Sequence, residues 1–314
     1  MSERLTALLR RSKWKLLQVF VRAKKVTLPF FDRTPLYDVG VFFWHSIVDG
    51  ALTTRASAIA FNFFIALFPA MIFIFTLIPY VPIHNFQDLL LSVIESMVPE
   101  GIYEAIEDTV EDIILQPRGT LLSLGFLFAL IFSTNGIASM ISAFDATVHS
   151  IQRRSWISQR IAAIWLLLIL SVLLTIAIAL ITFGQTALNL LVDNLPHLDR
   201  FSYIMLVFGK WIIIIALLFF TYSFLYYMAP AKKSQWRFIS AGGSLSTVLS
   251  IATMAGFSYY INNFNQYNKL YGSIGTLLVV LLLIYAFSLI LLVGFELNAS
   301  IYEAQQDNRR RLIR

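Results

Sequence analysis

The chain has 314 residues, of which 58% are hydrophobic and only 13% charged, and its mean hydropathy is +0.74. This is too apolar for an ordinary soluble domain and places the chain in a membrane. The net charge of +6 follows from loops that face one side of the bilayer, so it is no sign of nucleic-acid binding.

Residues 1–54 form a basic segment. Within it, "ERLTALLRRSKWKLLQVFVRAKK" sets leucines, Trp14 and Phe20 among Lys and Arg, the pattern of an amphipathic helix on an anionic inner leaflet. A solvated basic tail is the plainer alternative. No signal-peptide core follows within the first 30 residues. A bilayer core of about 30 Å needs roughly 20 apolar residues per helix. Six runs meet this, at about 55–82, 119–145, 158–185, 203–229, 237–260 and 274–302. Together with their loops they fill a six-helix transmembrane domain over 55–304, leaving 305–314 as a basic tail. Unbroken apolar runs exclude an outer-membrane barrel, whose strands alternate. The expected fold is therefore all-α, a polytopic membrane helix bundle.

Between the first two runs, "FQDLLLSVIESMV" and "IYEAIEDTVEDIIL" show helical spacing with acids on the opposite face, which predicts two short outer amphipathic helices. Their carboxylates read most simply as solubilising. Residues 83–117 hold eight acids and no Lys or Arg. The N-terminal segment, the connections bearing Arg153, Arg154 and Arg160 or Lys232, Lys233 and Arg237, and the tail with Arg309, Arg310, Arg311 and Arg314 are basic. By the positive-inside rule both termini are cytoplasmic.

Charged and amide side chains inside apolar runs are costly and mark candidate sites. Counting about 1.5 Å per residue, Arg55, Asn62, Asn135, Asp145, Glu296 and Asn298 converge on the inner half of the bilayer. Arg55 neutralised by Glu296 or Asp145, with the asparagines above, would form a clamp. The same charges also read as helix-end anchors, as a structural ion pair, or as a substrate-contacting cluster. Lys210 beside Trp211 fits an outer-interface anchor. Pro69 releases a carbonyl in the first span and permits a kink. Gly242, Ser246 and Ser250 draw a small-residue stripe against which another helix can pack.

No metal-ligand spacing, P-loop or nucleophile elbow is present, and His45, His84, His149 and His197 are scattered, so no catalytic residue, metal or cofactor is assigned. The acidic loop faces away from cytosolic RNA, which counts against a nuclease.

"RASAIAFNFFIALFPAMIFIFTLIP", "YYMAPAKKSQWRFISAGG" and "YNKLYGSIGTLLVVLLLIYAFSLILLVGFELNAS" resemble stretches of the YihY/BrkB family of bacterial inner-membrane proteins. The resemblance covers about residues 50–303, and Arg55, Pro69, Tyr271, Gly272, Gly275, Gly294, Glu296 and Asn298 carry it. Asp145 in "SAFDATVHSI" departs from the Asn-containing stretch of many relatives. The resemblance implies six spans and an inner-membrane location. Members have carried the label ribonuclease BN, generally regarded as a misassignment. The expected function is a transporter or flippase-like protein handling lipid or another envelope solute, without its own ATPase. The alternative is a non-transporting envelope scaffold, and a ribonuclease ranks last. The expected partners are membrane lipids.

Overall fold

A computed structural model describes residues 35–80, 87–88, 91, 112, 114–147, 154–194, 200–231, 240–263 and 266–313. The amphipathic helix expected before residue 35 lies outside the described residues, as do all but a few positions of the acidic loop. Every extended element among the described residues is helical: α1 Leu36–Asp49, α2 Leu52–Leu77, α3 Gly119–Asp145, α4 Trp156–Asn194, α5 Arg200–Met228, α6 Ala241–Asn263 and α7 Gln266–Ile313. The all-α reading holds.

Five of these helices are long and apolar enough to cross a membrane. The fifth run, α6, falls short in hydropathy because glycines and serines replace the leucines of its neighbours. It is nevertheless built into the same bundle. Each of α2 to α7 packs on the next in sequence, and α7 closes back on α2. The result is a ring of six helices in chain order. Short connections favour this arrangement from α3 to α7, since they make consecutive helices antiparallel neighbours, whereas α2 and α3 pack together across the long acidic loop.

Two features depart from the expected boundaries. The basic tail read at 305–314 continues α7 without a break to Ile313. Before the first span, α1 is a separate helix whose inner face, Val39 and Phe42, packs on Leu297, Ile301 and Ala304 of α7. Its opposite stripe of Val41, Trp44 and Val48 is exposed, as suits an interfacial helix with its apolar side towards lipid. A tight turn through Ala51, in the left-handed region at φ 47°, leads from α1 into α2. α2 itself runs unbroken through Pro69.

Packing is concentrated at one end of the ring. Buried side chains occupy the start of α2 (Leu52 to Ala66), the close of α3 (Thr134 to Asp145), the start of α4 (Ala163, Leu166) and the close of α5 (Tyr222 to Ala229). They continue through the start of α6 and along Ser288 to Ala304 of α7. At its centre Phe144 stacks on Phe295 at 4.3 Å, with Tyr226 edge-on to Phe144 at 6.0 Å, geometries that aromatic quadrupoles favour. The opposite half is different. Consecutive residues Phe126, Leu127 and Phe128 of α3, and Trp211, Ile212 and Ile213 of α5, are all exposed. Three successive residues sweep some 200° of a helix, so these helices meet neighbours there over less than half their circumference.

Candidate functional site

The packed end is also where the polar residues gather. Arg55 stands one turn into α2, and Glu296 lies deep in α7, at the level where α7 closes on α2. The two form an ion pair at 2.5 Å, with the Glu296 side chain 0% and the Arg55 side chain 10% exposed. The second Glu296 oxygen accepts a hydrogen bond from the Thr147 hydroxyl at 2.8 Å, and Arg55 also donates to the Ala143 carbonyl at 2.7 Å. A carboxylate without solvent is tolerated only when its lone pairs are met in this way. The clamp therefore joins three helices: α2 through Arg55, the end of α3 through Ala143 and Thr147, and α7 through Glu296.

The remaining residues read as a cluster sit at the same end but serve other bonds. Asp145 accepts from the Ala231 backbone N–H at 2.8 Å, fastening the end of α3 to the chain leaving α5. Asn298 accepts from the Gly242 N–H at 2.8 Å and so caps one of the first backbone donors of α6. Asn135 accepts from Arg160 of α4 at 2.5 Å. Asn62 donates to the Ala58 carbonyl of its own helix at 2.8 Å, and α2 thereby satisfies it without a neighbour. Thus Glu296 carries the pair with Arg55, and Asn62 is no part of a shared polar wall.

Sequence reasoning passed over three contributors. Thr147 lies just beyond α3, where no intramembrane rule draws attention to a hydroxyl. Arg154, read only as an orientation charge, donates to the carbonyls of Met228 and Pro230 at 3.3 and 3.0 Å. Gln159 donates to the Ala138 carbonyl and the Ser142 hydroxyl. The signal available for Arg154 was its position immediately before an apolar run, next in space to the end of α5 with its unpaired carbonyls.

The small-residue stripe of α6 makes its own contacts with α7 and α5. Gly242 meets the Gly294 backbone, Ser246 donates to the Ile290 carbonyl at 3.2 Å, and Ser246 and Ser250 hydrogen-bond the hydroxyls of Tyr226 and Tyr222, each at 2.6 Å. Near the other end of the ring, Lys210 rests over the Trp211 ring at 5.8 Å, in keeping with an interface anchor.

Every helix of the ring is thus tied at the Arg55 end by a polar bond. Asp145 offers a direct check on that network. Asp145→Ala leaves the Ala231 N–H without its acceptor and is expected to cost about 1–3 kcal/mol, seen as a lower thermal midpoint in detergent, whereas Asp145→Asn keeps an acceptor and costs less.

The family model for virulence factor BrkB matches residues 43–313, which includes the clamp and all six ring helices. The chain belongs to the BrkB family. This BrkB chain is 28% identical over 253 residues to a putative ribonuclease-like protein, YfkH, of Bacillus subtilis, covering 81% of the chain and 91% of the relative. It is 27% identical over 274 residues to a UPF0761 membrane protein of Aliivibrio salmonicida, covering 85% and 84%. A UPF0761 membrane protein of Idiomarina loihiensis is 26% identical over 207 residues, covering 64% of the BrkB chain and 68% of the relative. No solved structure matches. Membership and the apolar helices together make this BrkB protein an integral membrane protein.

Proposed function

We propose that the chain is a transporter or flippase-like protein of a bacterial inner membrane, handling lipid or another envelope solute without an ATPase of its own. One observation carries the reading: a ring of helices fastened at one end by a buried polar clamp and left apolar and loosely packed at the other. A structural anchor would need no such asymmetry. A carrier that opens at one face needs a closed opposite face, and the bonds of Arg55, Glu296, Thr147, Asp145 and Asn298 close this one. With the basic loops inside, the closed face is cytoplasmic and both termini lie on that side. Pro69 deprives a mid-span carbonyl of its donor, so α2 holds a soft point between the closed and open halves.

Vesicles of phosphatidylethanolamine and phosphatidylglycerol containing the purified protein test this. Fluorescent lipid in the inner leaflet is expected to reach the outer leaflet faster than in protein-free vesicles, and freezing the packed end by cross-linking α2 to α7 is expected to abolish the gain. If correctly folded protein moves neither lipid nor a panel of small solutes, the reading is wrong and a non-transporting scaffold takes its place. The ribonuclease-like name of the Bacillus subtilis relative is tested with the same preparation, which is expected to leave RNA intact.

A further inference from the structure

The turn between α1 and α2, "VDGALTTR" at 48–55, sets its glycine one position before the residue that would use it best. Gly50 keeps an ordinary φ of −79°, whereas Ala51 takes φ 47° and ψ 43°. Just past a helix end that left-handed position usually falls to glycine, because any other residue brings its Cβ against the following carbonyl. Space holds Gly50 where it is. A Cβ there would collide with the Ser46 carbonyl and stand 3.1 Å from Arg55 Nη2. The turn thus gives its glycine to the guanidinium and leaves the strain on an alanine.

The inner face of α1 runs from Val39 through Phe42 and Ser46 to Gly50, at steps of three and four residues. Val39 and Phe42 rest on Leu297, Ile301 and Ala304, and Gly50 rests on Arg55. α1 therefore lies over the Arg55–Glu296 pair and over the next 12 Å or so of α7. Ser300 falls within that stretch. At about 100° per residue it projects about 40° from Glu296 on one side and about 40° from Ala304 on the other, so it stands between the clamp and α1. Its hydroxyl is buried without a hydrogen-bond partner, and so is Arg55 Nε. Folded chains seldom leave buried polar atoms in this state. An element seated on few apolar contacts, above unpaired polar atoms and through a strained connection, belongs to the part of a fold that opens most readily. Lifting α1 lets Ala51 return to an ordinary φ and gives both polar atoms access to water.

We infer that α1 is a hinged cover, turning at Gly50 and Ala51, that opens to admit water to the Arg55–Glu296 pair and closes again on α7. The inference goes beyond the transport reading and does not rest on it, because a cover can open on a protein that moves no solute.

The chain has no cysteine, so Ser300→Cys places a single thiol beneath the cover. In vesicles of phosphatidylethanolamine and phosphatidylglycerol the folded variant is expected to react with dilute N-ethylmaleimide at a rate set by the fraction of time α1 is lifted. Ala51→Gly relieves the closed state alone and is expected to slow the reaction about fivefold, equivalent to about 1 kcal/mol. Ala51→Val worsens the same strain through its branched Cβ and is expected to quicken the reaction by at least as much. If the valine variant does not fold, the glycine arm decides by itself. Ala304→Cys, 1% exposed in the same seat, repeats the measurement should the Ser300 variant not fold. Ser250→Cys, also 1% exposed but on α6 against Tyr222, reports opening of the whole bundle and is expected to stay unreactive in all three backgrounds. A thiol at 300 or 304 that does not react in the folded protein would overturn the inference. So would a rate that residue 51 leaves unchanged, or one that the thiol at 250 matches.

Discussion

Arg55→Ala and Glu296→Ala are each expected to destabilise the protein by about 3–5 kcal/mol, because either change leaves the other charge buried and unpaired. The larger loss belongs to Arg55→Ala. Glu296 is 0% exposed and keeps only the Thr147 hydroxyl, whereas an abandoned Arg55 keeps the Ala143 carbonyl and some access to water. The double variant Arg55→Met with Glu296→Leu removes both charges at nearly constant volume. It is expected to recover most of the loss and to lie well above the sum of the single changes. Thermal midpoints of the wild type, Arg55→Met, Glu296→Leu and this double variant in one detergent make the cycle, and additive losses would mean that the pair contributes nothing jointly. Thr147→Val removes one hydrogen bond to a charged group and is expected to cost about 1.5–3 kcal/mol. Under the transport reading the restored double variant still loses control of the closed face, so it should leak where the wild type does not. Stability and leak together separate a gate from a staple.

What the sequence made legible is the part governed by hydropathy and spacing. Six apolar runs became the six ring helices. Arg55 and Glu296 were brought to one level by counting rise per residue, and the structure joins them. Counting depth says nothing of azimuth, however. Asn62 and Asn135 were counted to the same inner half, above the pair, but one faces its own helix and the other faces Arg160. Choosing Glu296 over Asp145 as the Arg55 partner likewise needed the ring order, in which α7 lies beside α2. The helix α1 was missed because Val41, Trp44 and Val48 are too few to form a span and follow directly on basic residues. Its packing on α7 is a tertiary contact with no local signature.

Gly242→Ala is expected to be among the most damaging single-methyl changes in the chain, costing about 3 kcal/mol or more, at the upper end for overpacking. A Cβ at 242 would collide with the Gly294 carbonyl and come within 2.8 Å of the Asn298 side chain. The first neighbour is backbone and cannot turn aside. The second is the side chain whose oxygen caps the Gly242 N–H. Relief would require α6 and α7 to separate, and separation breaks the Ser246 bond to the Ile290 carbonyl. Gly294→Ala acts from the other side of the contact, against the hydroxyls of Ser246 and Tyr226 and, at 2.7 Å, the Gly242 backbone carbonyl. The two hydroxyls can turn aside and the carbonyl stands farther off than the one met at Gly242, so its cost should be smaller. Gly256→Ala is the control on the same helix, since its Cβ would meet nothing within 4 Å and alanine is the better helix former by about 1 kcal/mol. The ranking expected from thermal melts is Gly242→Ala lowest, Gly294→Ala intermediate and Gly256→Ala at or above wild type. Equal midpoints for the first and last would mean that α6 and α7 do not approach so closely. The closed end of the ring would then depend on the Arg55 clamp and on the bonds of Asp145 and Arg154.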